Sequence, residues 1–131
     1  MIVTSGPSER DAAAQVIRAS GAPAIGELSL AELRALVDRA SLYIGGDSGP
    51  LHIAATSRVP IVALFGPTLP ERSAPWRDPR IASAAVDVGA LPCRPCDQRV
   101  CAPGDFRCLT TIAPELVVDA AERLLGPTVP D

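Results

Sequence analysis

The sequence predicts an α/β fold of the doubly wound class, in which helices cover both faces of an open parallel sheet. Two observations lead to this prediction: strand-like segments alternate with segments of helical periodicity, and the strand-like segments are continuous apolar runs. Strands that are buried on both faces have this pattern, whereas strands with one solvated face alternate apolar and polar residues. Ligands of such sheets bind beyond the carboxyl ends of the strands.

The N-terminal part of the chain predicts a strand end and a helix. Residues 1–4 are mostly apolar, and a helix follows from Glu9 to about Ala19, with Ser8 as a candidate N-cap. Ala24–Ile25 is a candidate for a very short strand. A doubly wound domain normally opens on a full strand, whereas this sequence begins partway into one, so we expect a fragment of such a domain.

A second helix is predicted from Ser29, which is placed to cap it. Leu30, Leu33, Leu36 and Val37 recur at helical spacing and form an apolar stripe. We expect this stripe to lie in the core.

The middle of the chain predicts two buried strands joined by a short helix. The apolar runs are Leu42–Ile44 and Ile61–Phe65, and the helix lies between Pro50 and Ser57. A proline-rich loop follows through Pro79, and Ala84–Val88 is a weaker strand candidate.

The last part of the chain predicts a cysteine-bearing loop and a final helix, within one domain that spans residues 1–131. The loop, residues 89–110, shows little periodicity. The helix runs from Pro114 to about Leu125, with proline in its first turn and Gly126 after its end, the usual asymmetry of helix termini.

The composition is that of a folded domain and gives no electrostatic argument for binding nucleic acid. Hydrophobic residues make up 47% of the 131 residues and charged residues 21%, as in globular proteins. The formal net charge is −3, so there is no electrostatic attraction for a polyanion. The chain contains no lysine, so a phosphate would have to meet an arginine, a backbone amide or a helix end.

The sequence shows neither a membrane-spanning run nor an export signal. No apolar run approaches the roughly 20 residues that cross a bilayer, and no basic segment precedes a long apolar one at the N-terminus. We therefore expect a cytoplasmic protein with at most peripheral membrane association.

The segment GGDSGPLHIAA, residues 45–55, lies where a parallel sheet binds ligands, between the first strand and its helix. Glycines there let a ligand approach the backbone, and free amides of Ser48, Gly49 and Leu51 would favour an anion such as a diphosphate. The alternative is ordinary helix capping by Asp47 or Ser48. The segment matches neither a dinucleotide fingerprint nor a Walker loop.

Three motifs occur in order along the chain: G-P-x-E at residues 6–9, D-S-G-x-x-H-x-A-A at residues 47–55 and F-G-P-T at residues 65–68. With these motifs the chain resembles the C-terminal half of family 9 glycosyltransferases, which include ADP-heptose:lipopolysaccharide heptosyltransferases. That family has the GT-B fold of two Rossmann-like domains. The resemblance covers nearly the whole chain, and many members carry a similar cysteine-bearing stretch.

The resemblance implies donor-binding roles for the residues of the second motif. Asp47, Ser48 and Gly49 match a turn that contacts the diphosphate and sugar of the donor, and His52 would lie beside the same group. Asp47 has two candidate roles, accepting hydrogen bonds from sugar hydroxyls and capping the helix.

The resemblance extends this donor site to three further positions. Glu9 matches a glutamate near the donor ribose, and a carboxylate can accept hydrogen bonds from two vicinal hydroxyls. The backbone at Leu28 matches the position that meets the adenine. Thr68 would face the cleft between the two domains.

The activity implied by the resemblance is inverting sugar transfer from an ADP-heptose-type donor to the lipopolysaccharide core, at the inner face of the inner membrane. In the family, the N-terminal domain binds the acceptor and provides the acidic general base that inverting transfer needs. In the family, the first strand and helix of the C-terminal domain provide a phosphate-binding lysine. The resemblance implies that this domain lacks its first strand and helix, and the chain contains no lysine. We therefore expect no catalytic residue in this chain and no activity from the chain alone.

Two other functions remain open at this stage. One is a non-catalytic module of the same ancestry that binds a nucleotide or a partner subunit. The other is a GT-B relative such as a nucleotide-sugar epimerase, which would carry additional catalytic carboxylates and histidines around its cleft. The single histidine of the chain disfavours the epimerase.

The four cysteines, Cys93, Cys96, Cys101 and Cys108, allow three interpretations. The C-x-x-C pair has metal-ligand spacing, and all four thiolates could hold a structural zinc ion, but a second C-x-x-C pair is missing. In a protein without an export signal, reduced thiols are favoured over disulfides. We therefore expect no cofactor and no metal ion.

The proline-rich loop carries one tryptophan and two arginines of interest. Trp76 could stack on a base or sugar, although covering the loop is the favoured use. Arg72 and Arg77 are candidates for phosphate or acceptor contacts, with solvation as the plainer alternative.

Overall fold

The computed structural model describes residues 1–96 and 100–126 of the 131-residue chain. A 3-10 turn covers Pro7–Glu9. The helices are α1 (Arg10–Ser20), α2 (Leu30–Val37), α3 (Gly49–Ala55), α4 (Pro70–Ser73), α5 (Arg107–Thr110) and α6 (Pro114–Leu125). The strands are β1 (Tyr43–Gly46), β2 (Ile61–Leu64) and β3 (Ser83–Val86).

The described strands form one parallel sheet in the order β1-β2-β3. Tyr43 pairs with Ile61, and Ile61 pairs with Ser83. Val3 and Ala24 form a separate parallel bridge outside this sheet. The predicted parallel arrangement of strands and helices is therefore confirmed.

Helices pack on both faces of β2, which explains the continuous apolar run of that strand. On one face, α2 and α3 pack on a core that includes Ile61, Ala63 and Phe65. On the other face, α6 packs on Val62, which is fully buried. Because neighbouring residues of a strand point to opposite faces, both sets must be apolar, as the α/β prediction requires.

The start of α2 has the predicted cap. The Ser29 hydroxyl accepts a hydrogen bond from the Glu32 amide at 3.3 Å, and the Glu32 carboxylate accepts one from the Ser29 amide at 2.8 Å. This capping box satisfies two amides that the helix leaves without partners. Leu33 and Val37 are buried as predicted, but Leu30, the first residue of the helix, is 65% exposed and does not belong to the core.

The predicted cap of α1 is wrong. Ser8 lies inside the 3-10 turn, and this turn is closed instead by the Glu9 carboxylate, which accepts a hydrogen bond from the Gly6 amide at 3.1 Å. Helix α1 buries none of its residues, and Val16 is 48% exposed.

Two short helices lie in segments where the sequence predicts loops. Helix α4 interrupts the proline-rich loop, and α5 lies in the cysteine-bearing segment, of which residues 97–99 are outside the described part. Within the described residues, no helix is both long enough and apolar enough to cross a membrane.

Candidate functional site

The candidate site lies at the carboxyl ends of β1 and β2. Asp47 directly follows β1, and its amide donates to the Leu64 carbonyl at 3.1 Å, which extends the strand pairing by one residue. Thr68 follows β2 by four residues. The carboxyl ends of neighbouring parallel strands meet at one edge of a sheet, so the two loops face each other where α/β sheets bind ligands.

The carboxylate of Asp47 joins these two loops. One of its oxygens accepts a hydrogen bond from the Thr68 hydroxyl at 2.6 Å, and the other lies 3.6 Å from Nε2 of His52. The Asp47 side chain is only 17% exposed, whereas that of His52 is 51% exposed. Asp47, His52 and Thr68 are called the Asp47 cluster below.

The structure decides against a capping role for Asp47 and Ser48. Helix α3 begins without a side-chain cap, and the Ser48 hydroxyl donates to the Gly46 carbonyl at 3.1 Å. The expectation that the Leu51 amide is free is wrong, because it donates to the Ser48 carbonyl at 3.1 Å. The Asp47 carboxylate thus contacts Thr68 and His52 and not the amides of the helix.

Glu9 lies close enough to Tyr43 of β1 for its negative charge to act on the phenol. A Cβ atom at Gly45 would lie 2.6 Å from the Tyr43 hydroxyl, so the phenol ring covers the backbone of Gly45. Burial raises the pKa of Tyr43, and the negative charge of Glu9 raises it further. The position of the ring therefore requires a glycine at position 45, and the charge of Glu9 reaches this phenol.

An ion pair connects the loop that contains Leu28 to the start of α1. The Arg10 guanidinium forms an ion pair with the Glu27 carboxylate, so the neighbours of Glu9 and Leu28 are in contact. The side chain of Leu28 packs on the core of α2 and α3. The segments that contain Glu9 and Leu28 therefore lie together.

The titration of Tyr43 tests this arrangement, because it is the only tyrosine of the chain. We expect the phenol to ionise at a pH above its ordinary pKa of 10.0, as monitored by phenolate absorbance near 295 nm. In Glu9→Gln the midpoint should fall, but not to the ordinary value, because burial is the larger cause. A midpoint that is the same in both proteins would place Glu9 away from Tyr43.

Arg94 is a residue of the site region that sequence reasoning missed. Its side chain is 1% exposed, and its guanidinium donates to the Thr68 carbonyl from Nη2 at 2.6 Å and from Nε at 3.2 Å. It also donates to the Asp87 carboxylate at 2.8 Å and to the Gly89 carbonyl at 2.7 Å. The Arg94 hydrogen bond holds the pKa of Asp87 below its ordinary value.

Two further residues of the cysteine-bearing segment, Cys96 and Leu109, pack on the F-G-P-T turn. The Cys96 amide donates to the Pro67 carbonyl at 2.8 Å. A Cβ atom at Gly66 would lie 2.5 Å from the side chain of Leu109, so this leucine packs directly against the glycine backbone. No signal in the sequence links Cys96 or Leu109 to this turn, because the contacts are long-range.

All four cysteines are half-buried free thiols. Cys101 Sγ accepts a hydrogen bond from the Phe106 amide at 3.3 Å. Burial raises the pKa of Cys108, and the Cys101 thiol raises it further. Among residues 1–96 and 100–126, no group of three or more histidine, cysteine or acidic side chains is arranged to hold a metal ion.

Arg77 contacts the backbone at the amino end of the sheet, and the side chain of Trp76 is exposed to solvent. Arg77 donates to the carbonyls of Val59 at 2.8 Å and Ser57 at 3.4 Å, in the turn that precedes β2. It therefore braces the amino end of the sheet, and burial lowers its pKa. Trp76 is 96% exposed, so the expectation that it covers the loop is wrong.

Comparisons with known proteins match this chain to one family. The model of glycosyltransferase family 9 (heptosyltransferase) matches residues 1–104. The chain belongs to glycosyltransferase family 9. The match includes all three sequence motifs and every residue of the Asp47 cluster.

Named relatives of this family 9 chain are heptosyltransferases. It is 37% identical over 84 residues to lipooligosaccharide heptosyltransferase 2 of Campylobacter jejuni, covering 64% of this chain and 25% of the relative. It is 34% identical over 131 residues to lipopolysaccharide heptosyltransferase 3 of Escherichia coli, covering 95% of this chain and 37% of the relative.

A solved structure shares the fold of the family 9 chain. The glycosyl transferase family 9 protein from Veillonella parvula matches with a TM-score of 0.71 and 28% identity, over 95% of this chain and 36% of that protein. The chain thus spans between a quarter and two fifths of the length of these relatives.

Proposed function

We propose that this chain binds the nucleotide-sugar donor of a heptosyltransferase-like enzyme, with an ADP-heptose-type molecule at the carboxyl ends of β1 and β2. The observation that carries the proposal is the Asp47 carboxylate, held between Thr68 and His52 inside the D-S-G-x-x-H motif. A carboxylate that neither caps a helix nor forms a short ion pair with a cationic side chain can accept hydrogen bonds from a ligand. The heptosyltransferase names of the relatives support a sugar donor.

The Asp47 cluster supplies groups for the sugar and the diphosphate. Asp47 would accept hydrogen bonds from sugar hydroxyls, and the half-exposed ring of His52 would donate to a phosphate or sugar oxygen. The exposed Ser48 and Gly49 would bring backbone amides to the diphosphate. Negative charge grows on the diphosphate as its bond to the sugar breaks, so donors fixed at that position stabilise the transition state.

The segments around Glu9 and Leu28 would hold the nucleoside. The Glu9 carboxylate would accept hydrogen bonds from the two ribose hydroxyls, and the backbone at Leu28 would meet the adenine. The contact between the two segments through Arg10 and Glu27 supports a shared ligand.

The whole enzyme would transfer the sugar with inversion to a lipopolysaccharide core acceptor. The bond from the anomeric carbon to the diphosphate breaks, a bond to the acceptor oxygen forms, and the acceptor proton passes to a general base. We assign no such base to this chain and expect it, together with the acceptor site, in another part of the enzyme. With a lipopolysaccharide core as the acceptor, we expect the enzyme to act at the inner face of the inner membrane and to attach to this membrane at most peripherally.

The proposal is tested by thermal melting of the full chain with ADP-heptose, ADP and UDP at millimolar concentration. We expect ADP-heptose to raise the melting temperature most, ADP less and UDP least, because adenine and sugar both contribute contacts. A ligand at a hundred times its Kd stabilises a protein by about 2.7 kcal/mol. An unchanged melting temperature with all three ligands, or equal effects of ADP and UDP, would contradict the proposal.

A further inference from the structure

Arg94 lies outside the three motifs and contacts the candidate site through the Thr68 carbonyl. A buried guanidinium is costly to desolvate unless all its partners are in place. The Arg94 guanidinium donates four hydrogen bonds. Two of them go to one acceptor, the Thr68 carbonyl. The remaining two go to Asp87 and Gly89, just beyond the end of β3.

Thr68 depends on such a contact because its backbone lies outside the sheet. The pairing of β2 with β3 ends with the Phe65 amide, which donates to the Val86 carbonyl at 2.9 Å. Thr68, three residues later, lies in a bend. A planar guanidinium that donates twice to one carbonyl allows that carbonyl little freedom to move.

The same threonine fixes the carboxylate that we place on the donor. Its carbonyl is held by Arg94, and its hydroxyl donates to Asp47 at 2.6 Å. The chain of contacts therefore runs from Arg94 through Thr68 to Asp47, and from there to His52.

We propose that Arg94 is a positioning residue of the donor site, which holds Thr68 so that its hydroxyl orients the Asp47 carboxylate toward the sugar. This inference rests on the proposed function. It also gives the cysteine-bearing segment a role in the site, because that segment supports the F-G-P-T turn through Arg94, the Cys96 amide and Leu109.

The ion pair with Asp87 supplies a matched control. Asp87→Asn removes the same ion pair but leaves the Arg94 guanidinium on the Thr68 carbonyl. Arg94→Met removes the contacts with Thr68, Asp87 and Gly89 together, and Arg94→Lys keeps one donor group, the ammonium, that can reach Thr68. Arg80→Met removes an exposed arginine that pairs only with Asp78 in the described structure.

Two readouts separate positioning from simple stabilisation. The first is the Hε1 chemical shift of His52 in the ligand-free chain, which is unambiguous because the chain has one histidine. The second is the Kd for ADP-heptose. In Arg94→Met we expect the His52 signal to move and the Kd to rise about tenfold. This rise corresponds to the loss of one hydrogen bond between the Asp47 carboxylate and the sugar.

The other variants fix the interpretation. Arg94→Lys should recover part of the wild-type Kd, whereas Asp87→Asn and Arg80→Met should keep both the His52 signal and the Kd. If Arg94→Met lowers only the melting temperature, with signal and Kd unchanged, or if Asp87→Asn matches its effect on both readouts, the positioning role is overturned.

Two complications are resolved by the same set of variants. If Arg94→Met does not fold, the double variant Arg94→Met/Asp87→Asn, which leaves no unpaired charge, and Arg94→Lys give the answer. If the wild-type chain binds no nucleotide sugar, the proposed function fails, while the His52 signal of the ligand-free variants still decides whether Arg94 positions the Asp47 cluster.

Discussion

Replacement of Asp47 by alanine is expected to abolish protection of the chain by ADP-heptose in thermal melting. The substitution removes the proposed acceptor for the sugar hydroxyls and leaves the Thr68 hydroxyl and the His52 ring without their shared partner. Each hydrogen bond to a charged group contributes about 1.5 to 3 kcal/mol, so the loss of two lowers affinity by at least about a hundredfold.

Two variants control this result. Asp47→Asn keeps an oxygen that accepts from Thr68 but loses the charge, so we expect a weakened rather than an absent response. Asp119→Ala removes an exposed aspartate of α6, the helix on one face of the sheet, and should respond as the wild type does. A full response in Asp47→Ala would remove Asp47 from the donor site.

Replacement of Phe65 by alanine is expected to unfold the chain or nearly so. Phe65 is fully buried where β2 ends, in the core that α2 and α3 cover. Truncation of a buried phenylalanine costs about 3 to 5 kcal/mol, which is a large part of the roughly 5 to 15 kcal/mol that stabilises a typical domain. Urea unfolding monitored by circular dichroism measures the change.

The second phenylalanine of the chain is the matched control. Phe106 is 53% exposed, so Phe106→Ala should change the free energy of unfolding by less than about 1 kcal/mol. Similar losses of stability in the two variants would show that the core is not centred on the face of β2 that α2 and α3 cover.

Periodicity and apolar runs predict the fold well where one element buries a continuous stripe. The positions of all three strands follow from apolar runs, and the limits of α6 follow from the proline in its first turn and the glycine after its end. The cap of α1 does not follow from the sequence, because Glu9 closes the turn that Ser8 was expected to cap. Exposure of Leu30 is also missed, because helical spacing places this residue on the apolar stripe although it is 65% exposed in the fold.

The candidate site is predictable where its residues belong to motifs. Asp47, His52 and Thr68 are identifiable from the sequence, and the structure brings them together. Arg94 is not, because its contact with Thr68 spans 26 positions and passes through an irregular segment. The role of Tyr43 likewise depends on a close approach to Gly45 that only the folded backbone reveals.

Binding of the nucleotide-sugar donor at the carboxyl ends of β1 and β2 is tested most directly by nuclear magnetic resonance. The ¹⁵N-labelled chain is titrated with ADP-heptose and followed by its amide chemical shifts. We expect saturable changes at residues 45–52 and 66–68, with smaller ones near Glu9 and Leu28. Changes confined to the amino ends of the strands, around residues 57–60 and 76–80, or no change at millimolar ligand, would contradict donor binding at this edge of the sheet.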